Sequence, residues 1–471
     1  MDQQKKLLSI SLGVIVILAI AYKANPGLFT PKTPGSFEYV RKGEDLLNKS
    51  KYEEAIASFE KAHKASPDNK EIKQSLICAY FKYADSLAEK SNYGPAIGYL
   101  AKACNVVRDT YTIQQLALMN SKMALEDLRD GKTAEAVALL SEARSLAAES
   151  GIASKNLGIS LFNDAVGEYK EGREKNAIIL LKEAMLVYED SRILEFTGDI
   201  YYKLTELDRA AFYWNAANAL NPESKTLPEK IERAEKEKEL ARAEERLDSP
   251  HFDIRYEKTL PVKADSVRLI LEKAYIDVGK DLGYFPGSKT TVFIYSEDNF
   301  RIIFKLPEVI RAFYDGNIRM PLPEKALDPD ELDQYVYHEY THAVISAKTN
   351  GNCPIWFNEG IATWENFKGR DGELAGPLSN FADAKVSINA LDGAFKGEDK
   401  SVDLRSAYLL SYTVVKYVID TWGMGGLRDI LKRMADGQHI ANAIDDEFLL
   451  PEKEFENRWK GYLKRKWGKN G

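Results

Sequence analysis

Apolar residues recur along the first half of the chain in a fixed frame. With Ala55, Ala96, Ala136, Ala177 and Ala210 as anchors, a large apolar residue stands four positions later (Phe59, Leu100, Leu140, Leu181, Trp214) and an alanine seven later (Ala62, Ala103, Ala143, Ala184, Ala217). The position directly after each anchor is also apolar: Ile56, Ile97, Val137, Ile178 and Ala211. Offsets of four and seven place one apolar stripe on one helix face. Twelve residues before each anchor stands a small residue, Gly43, Ala84, Ala124, Ala165 or Gly198, which lets a preceding helix pack closely. The pattern predicts five helix pairs.

These pairs resemble tetratricopeptide repeats. The first and last match best, through Gly43, Ala55, Phe59, Ala62 and Pro67, then Gly198, Tyr201, Ala210, Trp214, Ala217 and Pro222. The anchors are spaced by 41, 40, 41 and 33 residues, whereas the period of that family is about 34. An excess of about two helical turns in the first three steps predicts lengthened helices, not long loops.

The pattern changes at both ends of this array. At the start, Lys5 and Lys6 precede an uncharged, mainly apolar run, Leu7 to Tyr22. A helix of that run is about 24 Å long, enough for a bilayer of about 30 Å if flanking lysines snorkel. Ala19-Ile20-Ala21 is also a signal-peptidase type of site. Residues 1–23 are therefore a membrane anchor or a signal sequence, with the anchor preferred, and both place the remaining chain outside the cytoplasm. Residues 24–36, rich in proline and glycine, predict a linker, and 37–224 the repeat array. Residues 225–249 are charge-dense and predict a solvated helical linker.

From residue 250 the alternation becomes strand-like. Phe252–Tyr256, Thr290–Tyr295 and Asn317–Met320 predict strands, Asp265–Leu282 a helix, and the chain after Met320 is mainly helical in period. Residues 250–468 are thus expected to form an α+β domain. The fold class is multidomain, an all-α solenoid followed by an α+β domain.

Composition narrows the function classes. The net charge is −7, and no basic block interleaved with aromatics occurs, so nucleic-acid binding is not expected. Three cysteines, Cys78, Cys104 and Cys353, form no metal-ribbon spacing and read as small buried hydrophobes.

Histidine is scarce, with five in the chain, yet two of them form His338-Glu339-Tyr340-Thr341-His342. On a helix, residues four apart share a face, so both imidazoles suit a tetrahedral zinc ion, and Glu339 can reach a water on that ion. Asp328, Pro329 and Glu331 supply the start signals of such a helix, and Gly351 a stop. A third ligand is required, and Glu359 follows His342 by 17 residues, room for a turn and a returning helix.

H-E-x-x-H followed by W-x-x-E-G-x-A, here Trp356 to Ala362, resembles the gluzincin metallopeptidases. Within that clan the span from His251 to Trp467 resembles peptidase-MA-like domains, through Val292-Phe-Ile, Tyr314 to Pro321, Tyr408-Leu-Leu-Ser411 and Phe455 to Trp459. The resemblance implies zinc held by His338, His342 and Glu359, with Glu339 as general base. It implies an oxyanion donor at Tyr408, with Tyr412 as the alternative, and an extended substrate beside an edge strand at Asn317–Met320. Many gluzincins carry an acid four residues after the glutamate ligand; this chain has Thr363, so Asn358 or Glu365 is left to orient a ligand histidine.

The expectation is an exported, membrane-tethered zinc metalloendopeptidase of the cell envelope. Its repeats would bind a protein substrate or partner, in protein quality control or assembly. The alternative is a repeat scaffold carrying a silent peptidase-like domain.

Overall fold

The computed structural model describes residues 34–305, 312–322, 329–383 and 385–468. The expected anchor or signal segment lies outside the described residues, as does most of the linker. Among the described residues no helix is long and apolar enough to cross a membrane.

The helical half consists of α1 (Pro34–Asn48), α2 (Tyr52–Ala65), α3 (Lys70–Ala88), α4 (Tyr93–Val106), α5 (Thr110–Arg129), α6 (Thr133–Ala147), α7 (Gly151–Lys170), α8 (Glu174–Val187), α9 (Ser191–Lys203) and α10 (Leu207–Leu220). They form the five expected pairs. Every anchor and every alanine seven positions later is fully buried. The position after the anchor is less uniform: Ile56 and Ala211 are buried, whereas Val137 is exposed. The extra residues of the long steps sit in helices. The first helices of the middle pairs have 19, 20 and 20 residues, against 15 in α1 and 13 in α9.

The small residue before each anchor works as expected. A Cβ on Gly43 would stand 2.8 Å from the Phe59 ring, and one on Gly198 would stand 2.4 Å from the Trp214 ring. The absent side chain is what lets each aromatic ring seat against the neighbouring helix backbone.

The chain divides into two compact units, but not where the sequence suggests. The first ends at Ile193, and the second starts at Leu194 and also takes Lys170–Gly172. Most of the fifth helix pair therefore groups with the α+β region. The expected solvated helical linker at 225–249 is helical in its first part, but it is not wholly solvated and its end is a strand. It forms α11 (Thr226–Ala241) and β1 (Glu244–Asp248), with Glu237 buried opposite a buried arginine, Arg319. Charge density alone misread it, because the counter-charge lies 82 residues away.

In the second unit β1 is followed by β2 (Phe252–Glu257), α12 (Pro261–Leu282), β3 (Thr290–Ser296), α13 (Glu297–Phe304), β4 (Phe313–Tyr314) and β5 (Ile318–Leu322). The sheet order is β1-β2-β3-β5-β4, with β2, β3 and β5 parallel and the outer strands antiparallel. The expected edge strand at Asn317–Met320 is thus an inner one: β4 pairs with Ile318 and Arg319 and forms the edge. Two residues of β4 carry too short a pattern to be read from sequence.

The helices α14 (Pro329–Thr349), α15 (Ile355–Phe367), α16 (Asp371–Ser379), α17 (Ile388–Lys396), α18 (Leu404–Ala435), α19 (Ile440–Phe448) and α20 (Glu452–Trp467) complete the unit. Gly423, at φ 74° and ψ −178°, interrupts α18. Helix α12 packs on β2 and α14, α14 on α15, and α15 on α18. One apolar core, including Phe252, Ile294, Tyr340, Phe357, Val415 and Trp459, joins these layers.

Candidate metal centre

Helix α14 carries His338, Glu339 and His342 on one face. It starts at Pro329 as the start signals predict, and Asp328 lies outside the described residues. It stops where Asn350 and Gly351 take positive φ of 52° and 71°, and the Gly351 N–H donates to the Ser346 carbonyl at 2.9 Å. The two imidazoles cross at 89° with ring centroids 4.8 Å apart.

Helix α15 brings back Glu359. Its approach depends on Gly360: a Cβ there would stand 2.6 Å from the Ser411 carbonyl of α18. The glycine beside the ligand thus lets α15 approach the backbone of α18 closely, which carries α18 to the site.

Glu359 Oε2 stands 3.4 Å from His338 Nε2 and 3.4 Å from His342 Nε2. It makes no hydrogen bond, and neither does Glu339 Oε2, although both atoms are buried. Buried polar atoms are normally paired, so a convergent, unpaired set asks for a ligand. Donors about 2.1 Å from a tetrahedral zinc lie about 3.4 Å from each other, the observed separation. Among the described residues, His338, His342 and Glu359 are the group of His, Cys, Asp or Glu side chains that could hold a metal ion, with ligand atoms within 4.8 Å. Two imidazoles and one carboxylate fit zinc.

Electrostatics set the two carboxylates apart. Burial pushes Glu339 up to about 7, helped by the charge of Glu359 and opposed by His342. Burial also works to raise Glu359, but His342 and His338 outweigh it and hold the group below the usual carboxylate range. His342 Nδ1 donates to Asn358 Oδ1 at 2.9 Å, which fixes that ring with Nε2 toward Glu359. Of the two residues left open for this task, Asn358 makes the contact. Glu365 lies instead among Asp277, Asp281 and Lys368.

Residues 312–465 match the family model described as the peptidase MA superfamily. The second unit carries a peptidase MA domain. No curated protein matches the chain. Among solved structures, a thermophilic tetratricopeptide-repeat protein of Thermus thermophilus aligns at 17% identity over 42% of this chain and 98% of its own, with a TM-score of 0.19. The tetratricopeptide-repeat domain of P58(IPK) aligns at 12% identity over 85% of this chain and 98% of its own, also at 0.19. Scores this low carry no argument, and the repeat assignment rests on the helix pairs themselves.

In the peptidase MA domain the candidate metal site opens into a cavity of about 1150 Å³. Tyr408 lines this cavity, whereas Tyr412 is fully buried and packs toward Trp467. Burial, with the charges of Glu359 and Glu339, holds the Tyr408 hydroxyl well above its usual value. Cys353 and Thr363 also line the cavity without joining the ligand set. Sequence reading missed Glu331, Tyr335 and Arg405 as lining residues. A helical projection would have found them: Glu331 and Tyr335 precede His338 by seven and three positions, and Arg405 precedes Tyr408 by three. Two of the remaining histidines serve elsewhere. His251 Nδ1 is paired with Glu272 at 2.6 Å, and His439 caps α19.

Proposed function

We propose that the protein is a zinc-dependent metallopeptidase that cleaves protein or peptide substrates, with the helix pairs holding a substrate or partner protein. The observation that supports it most is the meeting of His338 Nε2, His342 Nε2 and Glu359 Oε2 beside the buried Glu339. Zinc bound by these three residues would polarise a peptide carbonyl and acidify a water.

The other groups follow from their positions. Glu339, buried beside the two histidines, is placed to take the proton of the attacking water and pass it to the leaving amine. Tyr408, held protonated, donates its O–H to the carbonyl oxygen as negative charge builds there. Asn358 keeps the His342 ring oriented. The apolar walls supplied by Phe300, Phe313, Phe367 and Leu374 favour a peptide over a small polar substrate.

Export and membrane tethering are part of the proposal and rest on Lys5, Lys6 and the apolar run Leu7–Tyr22. A role in envelope protein quality control or assembly rests on the pairing of a repeat array with a peptidase.

A second reading, a repeat scaffold with a silent peptidase domain, draws support from one feature. His338 Nδ1 is buried without a protein partner, and Thr363 stands where related enzymes often place an orienting acid. The test is metal content of residues 34–471 beside His342→Ala, with hydrolysis of an unfolded protein such as casein as the second readout. About one zinc per chain that His342→Ala loses, and hydrolysis that Glu339→Gln abolishes without losing zinc, is the expected outcome. Zinc without hydrolysis favours the scaffold, and absence of zinc uptake overturns the metallopeptidase.

A further inference from the structure

We propose that the end of the helical region belongs to the peptide-binding apparatus: α9 and α11 grip the β4–β5 hairpin and thereby set one wall of the catalytic cavity. The inference rests on the peptidase reading above.

The grip has two parts. The first is a buried charge cluster. Arg319 of β5 is fully buried and donates to Glu237 of α11 at 2.5 Å, to Asp315 of the β4–β5 turn at 2.9 Å and to Tyr295 of β3 at 2.7 Å. Glu237 in turn accepts the hydroxyl of Tyr202 from α9. The rings of Tyr202 and Phe293 cover the guanidinium at 4.8 and 4.7 Å. The second part is at the turn itself. Asn317 Nδ2 donates to the Lys203 carbonyl at the C-terminal end of α9, at 3.0 Å. A Cβ on Gly316, whose φ is 109°, would stand 2.5 Å from the Lys203 side chain, so that stem lies directly over the turn.

The hairpin also borders the chemistry, partly on the face that carries Arg319: Phe313 pairs directly with Arg319, and Pro321 lies two residues along β5. Phe313, Tyr314 and Pro321 line the same cavity as His338, Glu339 and Glu359. A hairpin with two residues in its edge strand has few ladder bonds of its own to fix it. β5 is fixed by its ladder to β3, so what α9 and α11 set from outside is the turn and, through it, β4. A buried ion pair adds little net stability against apolar packing, but removing one partner strands the other charge. Such a cluster specifies a position more than it adds strength. Glu237 and Asn317 are positioning residues for the peptide, not for the metal.

The experiment compares two probes on the zinc-loaded chain by calorimetric titration: acetohydroxamate, which needs only the metal centre, and a leucine-containing peptidyl hydroxamate, which also spans the cavity walls. Glu237→Gln and Asn317→Ala are the variants, and Asn317→Ala carries the test if Glu237→Gln fails to fold. The expected result is unchanged zinc content, acetohydroxamate affinity within about twofold of wild type, and peptidyl hydroxamate weakened about tenfold. Equal weakening of both probes, or wild-type affinity for both, overturns the proposal. Failure of wild-type protein to bind either probe overturns the metallopeptidase reading itself.

Discussion

Glu365 shows how much a single side chain in this domain depends on its surroundings. It lies six residues past Glu359 on α15 and is 5% exposed. Burial, then the charges of Asp281 and Asp277 on α12, push its carboxyl up to about 8, against the pull of Lys368. Tyr337 of α14 also faces this cluster, donating to Asp277 at 2.6 Å. An unfolded glutamate titrates near about 4.3. Between that value and about 8 the folded chain keeps a proton that the unfolded chain has lost. Stability therefore falls as pH rises through this window, and the penalty is complete above it. Glu365→Gln removes the penalty. Thermal melts should show the variant about 5 °C more stable than wild type at high pH, with the gap closing toward pH about 4. A gap that does not change with pH would exclude ionisation of Glu365 as its source. At the same scale, the sequence already marked both ligand histidines, Glu339 and Glu359. It left the partner of His342 open, because whether Asn358 or Glu365 turns inward depends on what α15 packs against.

Helix pairing follows a rule of matched sizes. Sixteen residues separate Gly43 from Phe59 and Gly198 from Trp214, and the same interval separates Ala84 from Leu100, Ala124 from Leu140 and Ala165 from Leu181. Glycine stands opposite an aromatic ring and alanine opposite leucine. At Gly43 an added methyl would meet the Phe59 ring at 2.8 Å, and overpacking of that kind costs about 1–3 kcal/mol. Gly43→Ala should lower the unfolding free energy of the first unit, read from urea titrations, by that amount, and Gly43→Ala combined with Phe59→Leu should recover most of it. A neutral Gly43→Ala would mean that the ring moves aside freely and the size rule has no energetic content. The strands obey no such local rule. β2 and β3 were legible because buried β-branched and aromatic residues fill them. β1 reads Glu-Glu-Arg-Leu-Asp, an edge strand with a largely solvated pattern, and it was absorbed into the charged helix before it.

At the scale of the whole chain, the boundary between repeats and peptidase is functional only if it falls in the right place. The second unit begins at Leu194, and its sheet takes its buried counter-charge from Glu237. A chain cut at residue 250 keeps His338, His342 and Glu359 but leaves Arg319 with Asp315 and no Glu237. The same cut removes β1 and the Tyr202 and Leu240 side chains that cover Arg319 and Phe293, and exposing that sheet face costs a large part of the stability of an ordinary domain. Residues 250–471 should therefore be insoluble or melt without cooperativity, while residues 191–471 should give one sharp transition by circular dichroism. A cooperative melt of the shorter fragment would show that the helical elements are dispensable to the sheet.

The sequence by itself determined what depends on short intervals along the chain. The five helix pairs, their lengthened first helices, and the placing of His338, Glu339 and His342 on one helix face all follow from helical periodicity. So does the return of Glu359 on a second helix. The tertiary structure alone decided which surfaces meet. It docked the charged helix α11 by burying Glu237 against Arg319, made β4 the sheet edge, and set Asn358 on His342. It also put Tyr408 in the cavity and Tyr412 in the core, although the two are one turn apart on the same helix. The physical reason is common to all of these. A charged or aromatic side chain takes its role from partners 82 or more residues away, and no local pattern carries the identity of such a partner.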